Sequence, residues 1–264
     1  MIRNCVRYFF VSAALMAGLA VVPSANAATV SGVVSADFTA NTTFNLTNMG
    51  TLDWAYWNLA ANPASGAPTN SKNGATLIGS ATAVGGGGVR GSMTTTGAVP
   101  ESYFTFTDGA SPGSGTSVMS TGIFNTQLAT VGAGVSILVD LPTVQTYTIY
   151  IWASAFALNT STFTAALSGT TSFVSTVLLD SSGTATKETY LITLTVTPDT
   201  AGDDLMLSAV AGSSGDASSH ILISGIAVSP FAIPEPGATG AMAGVAALAA
   251  GMLARRRRVD SARC

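Results

Sequence analysis

The sequence predicts an all-β protein: one antiparallel β-sandwich of jelly-roll type, preceded by an N-terminal signal peptide and followed by a C-terminal transmembrane helix. Three observations lead there. Across residues 28–233 the apolar positions recur with a period close to two, and turn-forming residues punctuate nearly every segment. Thr, Val and Ile, with Gly and Ser, fill the windows a helix would need, and β-branched side chains suit the pleated surface of a strand. Short strands that follow one another without intervening helices imply antiparallel layers. No fixed-period repeat is present, which excludes a solenoid.

In chain order, residues 1–27 have the three parts of a secretory signal peptide. Arg3 and Arg7 supply the positive start, residues 8–22 the apolar stretch, and Ala25 and Ala27 the small-residue box that signal peptidase reads, with cleavage before Ala28. Cys5 precedes the apolar stretch, whereas a lipidated cysteine would have to follow it. The body, residues 28–230, begins with weakly patterned segments and the run Gly50-Thr51-Leu52-Asp53-Trp54-Ala55-Tyr56-Trp57. A long loop-like region follows at residues 58–100, with four glycines in a row at 85–88.

Val135, Ile137, Val139 and Leu141 mark a strand, and the clearest strand comes next, at residues 145–155. There Tyr147, Ile149 and Ile151 alternate with Thr148, Tyr150 and Trp152. Both faces carry large side chains, so the strand belongs near the centre of a sheet, packed on two sides or with an aromatic face open for contact. Ile192, Leu194 and Val196 mark a later strand, Leu205 and Leu207 another, and Ile221, Ile223, Ile226 and Val228 close the body.

Charge narrows the function further. Only 9% of the 264 residues are Asp, Glu, Lys or Arg, against about 25% in an ordinary soluble domain. Most of the basic residues sit at the two ends. Lys72, Arg90 and Lys187 alone lie in residues 28–234, against eleven acids, a balance of -8. That excludes a nucleic-acid partner, because phosphate binding depends on clustered Lys and Arg. The two cysteines, Cys5 and Cys264, both fall in segments expected to be removed. A disulfide scaffold, a thiol enzyme and a cysteine-ligated zinc site are thereby excluded, and stability falls to sheet packing.

The C-terminal segment, residues 231–258, has three ordered parts. Pro234, Glu235 and Pro236 come first, then eighteen uncharged residues at 237–254, then Arg255, Arg256, Arg257 and Arg258. An uncharged helix of that length is near the minimum that spans a bilayer, and the arginines stop transfer by holding their end in the cytoplasm. Residues 233–258, IPEPGATGAMAGVAALAAGMLARRRR, resemble the PEP-CTERM sorting signal of Gram-negative bacteria. The resemblance implies that an exosortase, a membrane-embedded cysteine peptidase, recognises the Pro-Glu-Pro motif and cuts the tail away. This chain departs from the usual form by continuing with residues 259–264, read as a short cytoplasmic tail.

A second resemblance concerns the body. The run from Gly50 to Trp57, Phe104-Thr105-Phe106-Thr107-Asp108-Gly109, the strand at 146–155 and Phe163-Thr164-Ala165-Ala166-Leu167-Ser168 together look like the galactose-binding-like jelly-roll modules of secreted bacterial proteins. This implies a sugar-binding role, although few polar or basic side chains are present to hydrogen-bond a sugar.

Residues able to carry chemistry are few. His220, the single histidine, would have to be the base of any Ser-His-Asp triad, but no Gly-x-Ser-x-Gly elbow occurs and it stands at the entry to an apolar strand. Glycoside hydrolysis needs two carboxylates, and Glu101, Glu188, Asp53, Asp108, Asp140 and Asp180 head the candidates. Asp53 stands out beside Trp54 and Trp57, since aromatic rings stack on sugars and desolvate acids; the plainer reading puts Trp54 in the core and Asp53 at a turn. Asp199, Asp203 and Asp204 offer oxygen ligands for calcium, but without EF-hand spacing, and turn chemistry accounts for them equally well.

The sequence therefore points to an exported, non-enzymatic protein of the cell surface or extracellular matrix, with no cofactor or metal, associated with exopolysaccharide or biofilm. Its rivals are a carbohydrate-binding module using Trp54, Trp57 and Asp53 or Trp152, and a secreted glycoside hydrolase or lyase.

Overall fold

The computed structural model describes residues 27–35, 42–58, 65–91, 102–168, 172–177, 187–214 and 217–231. The chain is all-β, and two antiparallel sheets face one another as a β-sandwich. Sheet one runs in the order β1 (Thr29–Val34), β14 (Lys187–Thr197), β11 (Tyr147–Phe156), β16 (His220–Pro230), β3 (Asp53–Tyr56) and β4 (Asn70–Ser71). The other half of β16 pairs with β9 (Ile123–Asn125), which carries β6 (Val89–Gly91). Sheet two runs β13 (Ser172–Val177), β12 (Leu158–Leu167), β15 (Asp203–Ser214), β10 (Gly134–Leu141) and β5 (Thr82–Val84).

The alternation read from the sequence explains the core between these sheets. Ile149 and Ile151 of β11, Ile192, Leu194 and Val196 of β14, and Ile226 and Val228 of β16 face Val135, Ile137 and Val139 of β10, Leu205 and Leu207 of β15 and Phe163 of β12. Each of these side chains is at most 1% exposed. A period of two puts every second residue on the same face, so each of these strands delivers an unbroken apolar stripe.

A third layer lies on the opposite face of sheet one. It comprises β2 (Thr43–Asn45), which runs parallel to β7 (Ser102–Phe106), with β8 (Gly115–Ser120) antiparallel beyond. The one-turn helix α1 (Leu46–Met49) continues β2; Asn45 caps it, its side-chain oxygen accepting from Asn48 N at 3.0 Å. This layer closes a second core of Leu46, Trp54, Tyr56, Phe104, Phe106, Trp152 and Ala227. The strand expected at 145–155, observed as β11, is thus packed on both sides, the first of the two arrangements its large faces allow, although Thr148 and Tyr150 still border an open groove.

The region at 58–100 is more structured than its loop-like sequence predicts. Its described parts include β4, β5 and β6, each only two or three residues long and held by backbone pairing to β3, β10 and β9. Strands this short leave no alternation to read. The glycines at 85–88 make the turn from β5 in sheet two to β6 in sheet one, and Gly85, Gly86 and Gly87 all take positive φ, which glycine alone adopts without steric cost. Among the described residues no helix is long and apolar enough to cross a membrane; the signal peptide up to Asn26, the sorting motif, the expected span at 237–254 and the arginine cluster lie outside them.

Candidate functional site

The aromatic run of β3 divides between the two cores. Trp54 and Tyr56 point into the second core, while Ala55 and Trp57 point into the first. Asp53, Trp54 and Trp57 are sealed at 1%, 0% and 0% exposure. Trp57 Nε1 donates to Gly66 O at 2.9 Å, and Trp54 Nε1 donates to Asp108 Oδ1 at 2.9 Å. Trp152 is equally buried, its ring edge-on to Phe104 at 5.0 Å and tilted against Phe44 at 5.1 Å. A ring without an exposed face offers a sugar nothing to stack on, so these three indoles serve packing in this fold.

Asp53 and Asp108 occupy opposite sides of sheet one. Asp53 Oδ2 accepts from Leu77 N at 2.8 Å and Ile78 N at 3.0 Å, pinning that loop to the sheet, while Oδ1 is buried without a partner. Burial pushes its carboxyl above the ordinary range, and the backbone amides of Ile78, Trp54 and Leu77 and the charge of Lys72 offset this only in part. Asp108 is different. Desolvation pushes it up, but hydrogen bonds from Lys72, Thr47 and Trp54 outweigh that and hold it below the usual value. Thr47 Oγ1 donates to Oδ1 at 2.7 Å, and Lys72 Nζ forms a salt bridge to Oδ2. One carboxylate thereby ties α1, β3, the segment after β4 and the turn after β7.

The remaining candidates do not converge. Glu188 accepts from Tyr190 OH at 2.6 Å, Asp140 is exposed at the end of β10, and Glu101 and Asp180 lie outside the described residues. Asp203 and Asp204 are consecutive in β15, so their side chains leave opposite faces of the sheet; Asp203 Oδ1 accepts from Ser168 Oγ at 3.1 Å. No group of three metal-capable side chains occurs among the described residues. The His220 ring packs on Phe124 at 4.4 Å and Phe156 at 5.2 Å, with Nδ1 2.7 Å from Ser218 O.

A different surface offers room for a ligand. An open groove of about 520 Å³ lies where α1 meets the ends of β11 and β16, lined by Asn48, Met49, Thr51, Thr148, Tyr150, Ser229, Pro230 and Phe231. None of the eight is charged. Tyr150 is partly buried in its wall and Phe231 is 43% exposed. The aromatic face of residues 145–155 is the sequence signal for Tyr150; Phe231 stands alone after a proline and carries no pattern.

No family model matches the chain, and neither the curated proteins nor the solved structures include one similar to it. The class defined here is an all-β sandwich with a third, aromatic-cored layer over one sheet.

Proposed function

We propose that the chain is an exported, non-enzymatic protein of the cell surface or extracellular matrix, associated with exopolysaccharide or biofilm. Signal peptidase acts at Ala27, the C-terminal helix holds a precursor in the inner membrane, and an exosortase cuts at the Pro-Glu-Pro motif, leaving the body at the surface or secreted. The observation that carries this reading is the order of three parts in the tail: Pro234-Glu235-Pro236, eighteen uncharged residues, then four arginines. The burial of Asp53 and the ties of Asp108 to Thr47, Trp54 and Lys72 support the non-enzymatic part, since the two acids lie on opposite sides of sheet one and form no pair across one glycosidic bond.

The sandwich is read as a jelly roll. What supports this is the strand order: the sheets contain 14-11-16-3 and 13-12-15-10, and from β10 to β16 the chain changes sheet at every connection except β12 to β13. A second reading, as a carbohydrate-binding module, is favoured by the uncharged groove at Tyr150 and Phe231, whose mix of ring faces, hydroxyls and an amide suits a neutral glycan.

In the native host, replacing Pro234, Glu235 and Pro236 with alanine is expected to leave a full-length, membrane-bound precursor on immunoblots of membrane and outer fractions. Normal cleavage and release of that variant would reduce the tail to an ordinary anchor. Purified residues 28–233 are expected to hydrolyse nothing across a polysaccharide panel, and turnover abolished by Asp53→Asn would overturn the non-enzymatic reading.

A further inference from the structure

The two ends of the body leave the fold side by side. Thr29 at the start of β1 pairs with Thr197 at the end of β14; Val196 pairs with Tyr147 at the start of β11, which pairs with Pro230 at the end of β16. Thr146 joins the two ends. Its hydroxyl is 2.8 Å from that of Thr197, and its carbonyl accepts from Phe231 N at 2.8 Å. Three strand spacings of about 4.8 Å set the two exits about 14 Å apart on one rim. The turns at 142–146 and 198–202 share this rim, whereas Phe156, Lys187, His220 and the turn at 127–132 lie at the far end. Ten residues of β11 separate the two ends, about 30 Å of strand.

We infer that this rim is the face the body turns toward the lipid surface while the chain is tethered, with the far end, including the glycine turn and Val131, pointing into the medium. The inference rests on reading residues 237–254 as a membrane span. Chain geometry then sets the limit: the five residues at 232–236 reach at most about 18 Å when fully extended, less than the length of the sandwich. The N-terminal tether leaves the same rim until signal peptidase cuts it. Two tethers on one edge hold the body upright.

Charge does not supply the contact. Asp140, Asp199, Asp203 and Asp204 all lie at this rim, while Arg90 and Lys187 are toward the far end and Lys72 is committed to Asp108. Acids facing anionic headgroups repel within about 8 Å at physiological salt, so the tether imposes the proximity and cutting it frees the body.

The test uses the full-length chain with Cys5→Ser and Cys264→Ser, which removes the only native thiols. A donor dye is placed at Val144→Cys on the rim or Val131→Cys at the far end, sites that are 48% and 67% exposed, and the protein is reconstituted into vesicles with an acceptor on the lipid headgroups. Transfer from position 144 is expected to exceed that from 131 roughly twofold, given about 30 Å between the ends. Equal or reversed transfer from a chain that floats with the vesicles overturns the orientation alone. A chain that does not float with them overturns the membrane-span reading, and the inference with it.

Discussion

Sheet one is covered on both faces along β11, β16 and β3, and the two cores it serves there are made from different side chains. Toward sheet two the contact is mainly aliphatic, Ile, Val and Leu on strands of eight to twelve residues, with Trp57, Tyr147 and Phe163 set among them. Toward the third layer it is five buried rings and Leu46, the rings drawn from β3 and β7, strands of four and five residues, and from Trp152 of β11, and Leu46 from α1. Short strands carry few inward positions, so a small layer must bury large side chains to hold. Its polar edge is closed by Asp108, with partners on Thr47, Trp54 and Lys72, whereas the acid on the main-core side, Asp53, is sealed and pins the loop at Leu77 and Ile78. The difference predicts that the sandwich is the stable unit and the third layer a cover whose loss need not unfold it.

The largest expected effect tests the first half of that statement. Trp57→Ala empties a sealed site in the main core and is expected to cost about 3–5 kcal/mol, read by urea unfolding of residues 28–233 followed by far-UV dichroism. A cost below about 1 kcal/mol would mean that the Trp57 site is not part of the cooperative core.

Gly225→Val tests the second half. A Cβ at Gly225 would stand 2.8 Å from Phe104 Cζ, so the cover must move off sheet one, at a cost of about 1–3 kcal/mol. Amide exchange is expected to accelerate at residues 102–106 and 115–120 while 147–151 stays protected. Equal acceleration in both would merge the two cores into one.

Smaller still are the two carboxylates, and pH separates them. Asp53 binds its proton more tightly in the fold than unfolded, so its penalty is fully present above its raised folded value and fades as pH falls toward 3.8. Asp108 binds its proton less tightly in the fold, so its contribution is complete above 3.8 and is lost as pH falls through its lowered folded value. Wild type measured against Asp53→Asn is therefore expected to gain stability on acidification from pH 7 to 4. Measured against Asp108→Asn, worth about 1 kcal/mol at pH 7, it is expected to lose stability below pH 4. Parallel profiles in urea titrations would refute the opposite placement of the two acids.

The smallest effect is local to the cover. Ser117 in β8 has φ of 52°, a region that glycine occupies without cost, and Ser117→Gly is expected to raise stability by up to about 1 kcal/mol, visible as slower exchange in β8 alone.

The long strands were legible in the sequence because burial on a sheet face imposes a period of two. Residues 135–141, 147–155, 192–196 and 205–207 carry it and fall in strands; 221–228 carries it on either side of a bulge between Ile223 and Gly225, while Gln145 and Thr146 belong to the turn before β11. The same alternation told that Trp54 and Trp57 point to opposite faces, but it could not tell that both faces would be covered. That depended on residues 43–49 and 102–120 returning over sheet one, a contact between segments about fifty to a hundred residues apart with no local signature. Asp108 stands in the sequence only as one candidate carboxylate among six for the same reason: Thr47, Trp54 and Lys72 become its partners only in three dimensions. Local pattern determines which face a side chain takes, since backbone geometry sets it residue by residue; what lies against that face is decided by the packing of whole layers, which only the tertiary structure contains.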